Sequence, residues 1–289
     1  MLGSAYRVQL LPAWQGEACD LLIALHARRS AASIADWVRM APGRPLVVVL
    51  TGTDLYRDIQ VDRQAQAALR SADALVVLQE DGLLALPPAV RSRARVIYQS
   101  GNLRQTLPKS PRHLRAIMVG HLRSEKSPQT LFAAARLLRE RPDIRIDHIG
   151  AALDPALGAQ ARATQAGCPA YRWLGALPHP DTLRRIQRAH LLVLTSAMEG
   201  GAHVILEAVR SGTPVLASDV PGNRGMLGAQ YAGYFPCADA RALAGLMVRA
   251  RDEPAFRDRL GRQCAARDRL FEPAREQRAL HGLVAELLA

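Results

Sequence analysis

Short apolar runs recur along the 289-residue chain, separated by stretches whose apolar positions return every third or fourth residue. The runs at 6–11, 20–25, 46–50, 74–78 and 95–98 read as strands, the clearest of them (LVVVL) buried on both faces. The stretches at 33–40, 62–71 and 80–86 read as helices between them. Residues 99–113, QSGNLRQTLPKSPRH, are polar and hold two prolines and a glycine, the pattern of an interdomain linker. The alternation then restarts, with strands at 114–119, 144–149, 171–174, 191–195 and 214–218. Helices are expected at 128–140, 155–166, 180–189, 202–210, 239–251, 253–270 and 274–288. Strands alternating with helices predict an α/β protein of two Rossmann-like, doubly wound parallel-sheet domains facing an interdomain cleft. The first domain spans 1–108 and the second 114–270, and the helix at 274–289 packs back on the first.

Ligands of such sheets sit at the carboxyl ends of the strands. The positions to inspect are therefore His26, then Thr51, Gly52, Thr53 and Asp54, then the segment from Gly120 to Lys126, then that from Glu199 to His203. The stretch LLVLTSAMEGGAHVILEAVRSGTPVLASDV is the most informative. A strand, a loop with Gly200 and Gly201, a helix and a second strand can offer free backbone N–H groups to an anion. Glu199 precedes that helix and Glu207 lies eight positions on, within it. His26 is placed for proton transfer, with a structural role as the alternative. Arg28 and Arg29 either hold an anionic acceptor or are simply solvated. The run Thr51, Gly52, Thr53, Asp54 either offers hydroxyls and a carboxylate to a ligand or caps a helix.

The net charge of +12 suggests an anionic partner. The arginines are spread over helix surfaces with few aromatics among them, so no nucleic acid is expected. Cys19, Cys168, Cys237 and Cys264 form no C-x-x-C pair and no disulfide framework, and a reducing, cytoplasmic setting fits. No apolar run is long enough to span a membrane. No two aspartates have Asp-x-Asp spacing, so no metal and no other cofactor is expected in catalysis.

A Glu, seven residues, a second Glu and then Gly-Thr-Pro-Val resemble the donor-binding signature of family-four glycosyltransferases of GT-B architecture. The resemblance implies that Glu199 lies at the donor sugar and that Glu207 holds the ribose hydroxyls. Gly200, Gly201, Ala202 and His203 complete that donor-binding loop. The family's Gly-Arg-Leu, three residues, Lys corresponds to Gly120, His121, Leu122 and Lys126. Lys126 matches the diphosphate-gripping Lys, His121 departs from the Arg, and Arg123 is a candidate to supply the missing charge. Several further segments, LLIALHARRSAAS, RPLVVVLTGTDLYRDI, VGHLRSEKSP, YRWLGALPH and MEGGAHVILEA, are similar to the selenosugar synthases of selenoneine biosynthesis. This implies transfer from a UDP-sugar, chiefly UDP-N-acetylglucosamine, to selenophosphate, with His26, Glu199 and Lys126 as catalytic residues. The acceptor would meet Arg28, Arg29, Thr51, Gly52, Thr53 and Asp54. A conventional transferase with a sugar or lipid acceptor, and a nucleotide-sugar-binding protein without turnover, are the alternatives.

In that family the first domain opens with a strand, a glycine-bearing loop and a helix, and the run at 6–11 would correspond to the second strand. Only MLGSA precedes it. The expectation is a chain that binds UDP but turns over slowly, with the less stable half first.

Overall fold

The computed structural model describes residues 1–289, which divide into two compact units. The first comprises Met1–Ser100, the short segment Glu199–Gly201, and Leu270–Ala289; the second comprises Gly101–Met198 and Ala202–Arg269. The change of unit falls at Ser100–Gly101, so most of the polar segment at 99–113 lies in the second unit. That segment is not a free linker. Gly101 O accepts from Arg210 Nε at 3.0 Å, Thr106 Oγ1 donates to Ser211 O at 3.0 Å, and Gln105 O accepts from Gln187 Nε2 at 2.6 Å. A backbone with few apolar side chains is held here through its own polar groups.

The first unit is a parallel sheet of β1 (Leu22–Leu25), β2 (Leu46–Val49), β3 (Ala74–Val77) and β4 (Ala94–Val96), ordered as in the sequence. Its helices are α1 (Ala31–Met40), the short α2 (Ile59–Val61), α3 (Arg63–Ser71) and the one-turn α4 (Gly82–Ala85) and α5 (Pro88–Arg91). Sequential order with right-handed crossovers puts the crossover helices on one face. Alternate residues Leu46, Val48, Leu75 and Val77 pack there with Ile34 and Trp37 of α1 and Ala65 and Leu69 of α3. Trp14 stands edge-on to Trp37, with centroids 5.1 Å apart. The intervening residues Val47, Ala74 and Val76 point to the other face, where they pack with Ile97 and with Leu283 of the C-terminal helix, Pro273–Leu288. Ala279, Leu280, Leu283 and Leu287 recur at helical spacing, so this helix supplies the second layer the sheet needs.

Residues 6–11 are not a strand; they lie in irregular chain with Leu10 92% exposed. β1 pairs with β2 alone. An apolar run becomes a strand only where a ladder takes up its N–H and C=O groups, and Pro12 follows this one directly.

The second unit runs β5 (Leu114–Val119), α6 (Pro128–Leu137), β6 (Ile144–Ile149), α7 (Pro155–Gly167), β7 (Tyr171–Trp173), α8 (His179–Arg188), β8 (Leu191–Leu194), α9 (His203–Val209), β9 (Val215–Ser218), α10 (Pro221–Leu227), β10 (Tyr234–Phe235), α11 (Ala240–Asp252) and α12 (Pro254–Arg267). All six strands are parallel, in the order β10-β9-β8-β5-β6-β7. The order reverses between β5 and β8, and ligands of such sheets bind at that switch point, outside the carboxyl ends. Neither α10 nor β10 was expected from the sequence: α10, PGNRGML, holds a proline and two glycines, and β10 has only two residues.

Candidate active site

In the second unit the loops that follow β5 and β8 are joined at the switch point. Thr195 Oγ1 donates to Lys126 O at 2.8 Å, and Ala197 N–H donates to Glu125 O at 2.9 Å. The loop after β9 joins them: Ser218 Oγ donates to Ser196 O, and Asn223 Nδ2 donates to Ser218 O at 2.9 Å. Asn223 is fully buried with its Oδ1 unpartnered. Gly120 has no side chain, and the stem of Lys126 lies where one would be, with Cδ 3.5 Å from an added Cβ. Gly150 is required: its φ is +153°, and a Cβ there would lie 2.0 Å from Gly120 O. His148 on β6 supports Gly120 from beneath. It is fully buried, its Nε2 lies 3.2 Å from Gly120 O, and its Nδ1 lies 2.9 Å from the Tyr171 hydroxyl. Burial pushes its pKa down to about 4, so it is neutral, with Nε2–H donating to the carbonyl and Nδ1 accepting from tyrosine.

Glu207 projects from α9 with its side chain 10% exposed. His179, the first residue of α8, places Nε2 2.6 Å from Glu207 Oε1, and His203 Nε2 stands 3.7 Å from the same oxygen. Of the predicted donor residues the structure thus brings together Gly120 with Lys126 and His203 with Glu207. His121 turns to accept from the Ala151 N–H at 3.0 Å, and Arg123 is exposed.

The first unit assembles a second group of predicted residues at the ends of β1 and β2. His26 follows β1 with φ +71°, a left-handed conformation rare outside glycine, which turns its ring inward. Its Nε2 lies 2.9 Å from Thr53 Oγ1, and its Nδ1 accepts from the Arg29 N–H at 3.3 Å. Asp54 is fully buried; its Oδ2 accepts from Ala27 N–H at 2.9 Å and its Oδ1 from Thr51 N–H and Thr51 Oγ1, both at 2.8 Å. The chain from Asp54 to Asp58 is a π-helical turn, a rare geometry frequent at functional sites. Asp54 and Asp58, four apart on this turn, both stand near the His26 ring, with Asp58 Oδ2 3.9 Å from His26 Nε2. Asp58 is also buried and carries Arg57 at 3.1 Å and Arg28 at 3.4 Å. Arg28 is therefore not a free cation. The segment Glu199–Gly201 also belongs to this unit, with Glu199 9% exposed. A Cβ on Gly200 would lie 2.4 Å from the carbonyl carbon of Thr51, so only glycine fits.

The sequence reading missed Asp58, His179 and Thr195. The signal for Asp58 was present, since it closes the run Asp54-Leu-Tyr-Arg-Asp58 at a spacing that brings carboxylates together on any helix. His179 and Thr195 carry no local signal. No group of three or more His, Cys, Asp or Glu side chains is arranged to hold a metal ion.

The architecture of two parallel-sheet α/β units is that of the GT-B glycosyltransferases. Sucrose-phosphate synthase from Thermosynechococcus elongatus matches 93% of this chain and 73% of its own at a TM-score of 0.76 and 20% identity. HepE of Anabaena, solved in complex with UDP and glucose, matches 92% of this chain and 77% of its own at a TM-score of 0.76 and 17% identity. Among curated relatives, glycosyltransferase 1 domain-containing protein 1 of Xenopus tropicalis is 26% identical over 247 residues, 75% of this chain and 68% of that protein. D-inositol 3-phosphate glycosyltransferase of Streptomyces avermitilis is 28% identical over 220 residues, 67% of this chain and 47% of that protein. The chain therefore spans about two thirds of the first of these relatives and about half of the second. The family model for glycosyl transferases group 1 matches residues 100–267, and the chain belongs to that family. No helix is long and apolar enough to cross a membrane.

Proposed function

We propose that the chain is a glycosyltransferase that takes a sugar from a UDP-sugar. The observation that carries this reading is the switch point of the second unit, where Lys126 and the nearly buried Glu207 stand at the carboxyl-end side of a doubly wound sheet in a group 1 glycosyltransferase. The UDP complexes of HepE, and of the pneumococcal O-GlcNAc transferase GtfA with UDP and GlcNAc, support the nucleotide class. In this reading Glu207 accepts from the ribose hydroxyls, which must share or displace the His179 ring at Oε1. Lys126 and the N–H groups of Gly201, Ala202 and His203 stabilise the diphosphate as charge builds on it, and Arg123 adds charge from the loop. Glu199 lies at the sugar, and His26 with Thr51, Thr53 and Asp54 faces the acceptor.

The proposed acceptor is selenophosphate and the proposed donor UDP-N-acetylglucosamine, on the strength of the segment resemblance. Selenium would attack the anomeric carbon while the C–O bond to UDP breaks, the bonding pair leaving with the diphosphate. Water then cleaves the Se–P bond, giving phosphate and the 1-seleno-sugar. The first unit's cations suit this acceptor less simply than the sequence implies, because Arg28 and Arg57 already flank Asp58. Arg29 is exposed beside them. The test is incubation of the protein with UDP-sugars and selenophosphate, scored by UDP release and by the mass of the sugar product. A selenium-bearing sugar supports the full reading. UDP release only with a sugar or lipid acceptor would move the chain to a conventional transferase, and release with none would leave a nucleotide-sugar-binding protein.

A further inference from the structure

A dense cluster of charge lies in the second unit at the end of the sheet opposite the switch point. Arg115, Arg145 and Arg172 are each the second residue of β5, β6 and β7, and the register sets Arg115 beside Arg145 and Asp147 beside Arg172. Like charges directly opposite on a sheet repel, so such a pairing needs a partner. Asp147, 1% exposed, is the one carboxylate among them. Its Oδ1 accepts from Arg172 Nε at 3.0 Å and Nη2 at 2.7 Å. Its Oδ2 has only Arg115 Nε and Arg185 Nη1, both 3.9 Å away and beyond hydrogen-bond reach. Arg115 Nε and Asp147 Oδ2 are both buried without a hydrogen-bond partner. Arg145 and Arg188 make no ion pair. One carboxylate, Asp147, thus meets three guanidiniums, those of Arg172, Arg115 and Arg185.

An open pocket of about 330 Å³ adjoins this cluster, lined by Pro108, Ser110, Arg115 and Arg188. Its wall is built rather than loose. His190 Nδ1 accepts from the Arg115 N–H at 2.9 Å and its Nε2 lies 3.0 Å from Ser110 O, while Ser110 Oγ lies 3.1 Å from His113 Nδ1. Burial, with Lys109 and Arg257 nearby, pushes the His190 pKa down to about 4. Burial followed by Arg145 and Arg115 lowers that of His113. Burial, followed by Arg257, pushes the Lys109 pKa down to about 8. Asp143 and Asp252 are already taken up by Arg141 and Arg251 and do not relieve it.

We propose that this pocket binds the phosphate group of a small anionic ligand, with Arg115 and Arg188 as its two guanidinium anchors. A buried guanidinium N–H without an acceptor, Arg115 Nε, beside the exposed and unpaired guanidinium of Arg188 and the Ser110 hydroxyl, suits a dianion with several acceptor oxygens. The site stands at the amino ends of the strands and is separate from the proposed donor site.

The experiment uses the full chain at fixed ionic strength, because a bare charge effect is screened by salt. Inorganic phosphate and, in a second arm, glycerol phosphate are titrated against the melting temperature and by calorimetry. The parent should be stabilised by phosphate. Arg115→Gln and Arg188→Gln should each weaken binding about tenfold or more, the loss expected for a charged hydrogen bond. Arg139→Gln, an exposed arginine elsewhere, and Lys126→Ala should leave it unchanged. Glycerol phosphate binding as tightly assigns the site to esterified phosphate, and its exclusion assigns it to the free ion. Arg188 is exposed and unpaired, so Arg188→Gln should keep the parent's melting temperature without ligand. No phosphate binding by the parent, equal binding by both glutamine variants, or loss only in Lys126→Ala would overturn the proposal.

Discussion

Asp54→Ala removes the carboxylate that ties three parts of the first unit together. Asp54 accepts two backbone N–H groups, from Ala27 and Thr51, and the Thr51 hydroxyl, and has no exposed surface. Each hydrogen bond to a charged group contributes about 1.5–3 kcal/mol, and a buried donor left unmade costs about 1–3 kcal/mol. The desolvation of the lost carboxylate offsets part of that sum. The expected net loss is about 3–5 kcal/mol. Asp54→Asn keeps an oxygen for the Thr51 groups but turns an NH2 toward the Ala27 N–H, so it should lose roughly half as much. Two units need not unfold as one, so the probe must be local. Trp14 and Trp37 lie in the first unit and Trp173 in the second; with Trp173→Phe as background, tryptophan fluorescence in urea reports the first unit alone. A loss below about 1 kcal/mol in Asp54→Ala, or an Asn variant as unstable as the Ala variant, would refute the reasoning.

Leu283→Ala should cost the first unit about 2–4 kcal/mol in the same assay, since Leu283 is 5% exposed against Val47, Val76 and Ile97. His148 has a folded pKa of about 4 against the ordinary 6.5, so its contribution to folding is complete above about 6.5 and is lost as pH falls toward 4. Acidification over that range should remove roughly 3 kcal/mol from the second unit through His148, in addition to what His190 contributes, and His148→Asn should reduce the slope of a urea series against pH without abolishing it. Lys126→Ala should lower kcat for sugar transfer more than it raises the donor KM, because its charge is needed most as the diphosphate departs; a pure KM effect would make it an anchor only. EDTA should leave the parent's transfer rate unchanged, measured as UDP release.

The strands were legible wherever an apolar run meets a ladder, at the sheet edges β1, β4 and β7 as well as inside. LLVL of β8 is buried throughout and LVVV of β2 at all but its last residue, as their unbroken apolar runs require. The run at 6–11 has the same local pattern but no ladder partner, which is a fact of the tertiary fold and not of the run. In the site, Glu207 and Lys126 stand out in the sequence because their spacings match the family's signature. The histidine on Glu207 does not, because His179 comes from another helix and only the packing of α8 near α9 brings it there. The π-helical turn at Asp54 was hidden for the opposite reason: residues Asp54, Leu55, Tyr56, Arg57 and Asp58 fit an ordinary helix equally well.

Titration of UDP into the parent and into Glu207→Ala, by calorimetry, is the most direct measurement of the nucleotide site. The parent should bind UDP, and Glu207→Ala should bind it more weakly by roughly 1–3 kcal/mol, the loss of charged hydrogen bonds to the ribose. Equal affinity in the two proteins, or no binding of UDP by the parent, would contradict the assignment of the second unit as the donor-binding half.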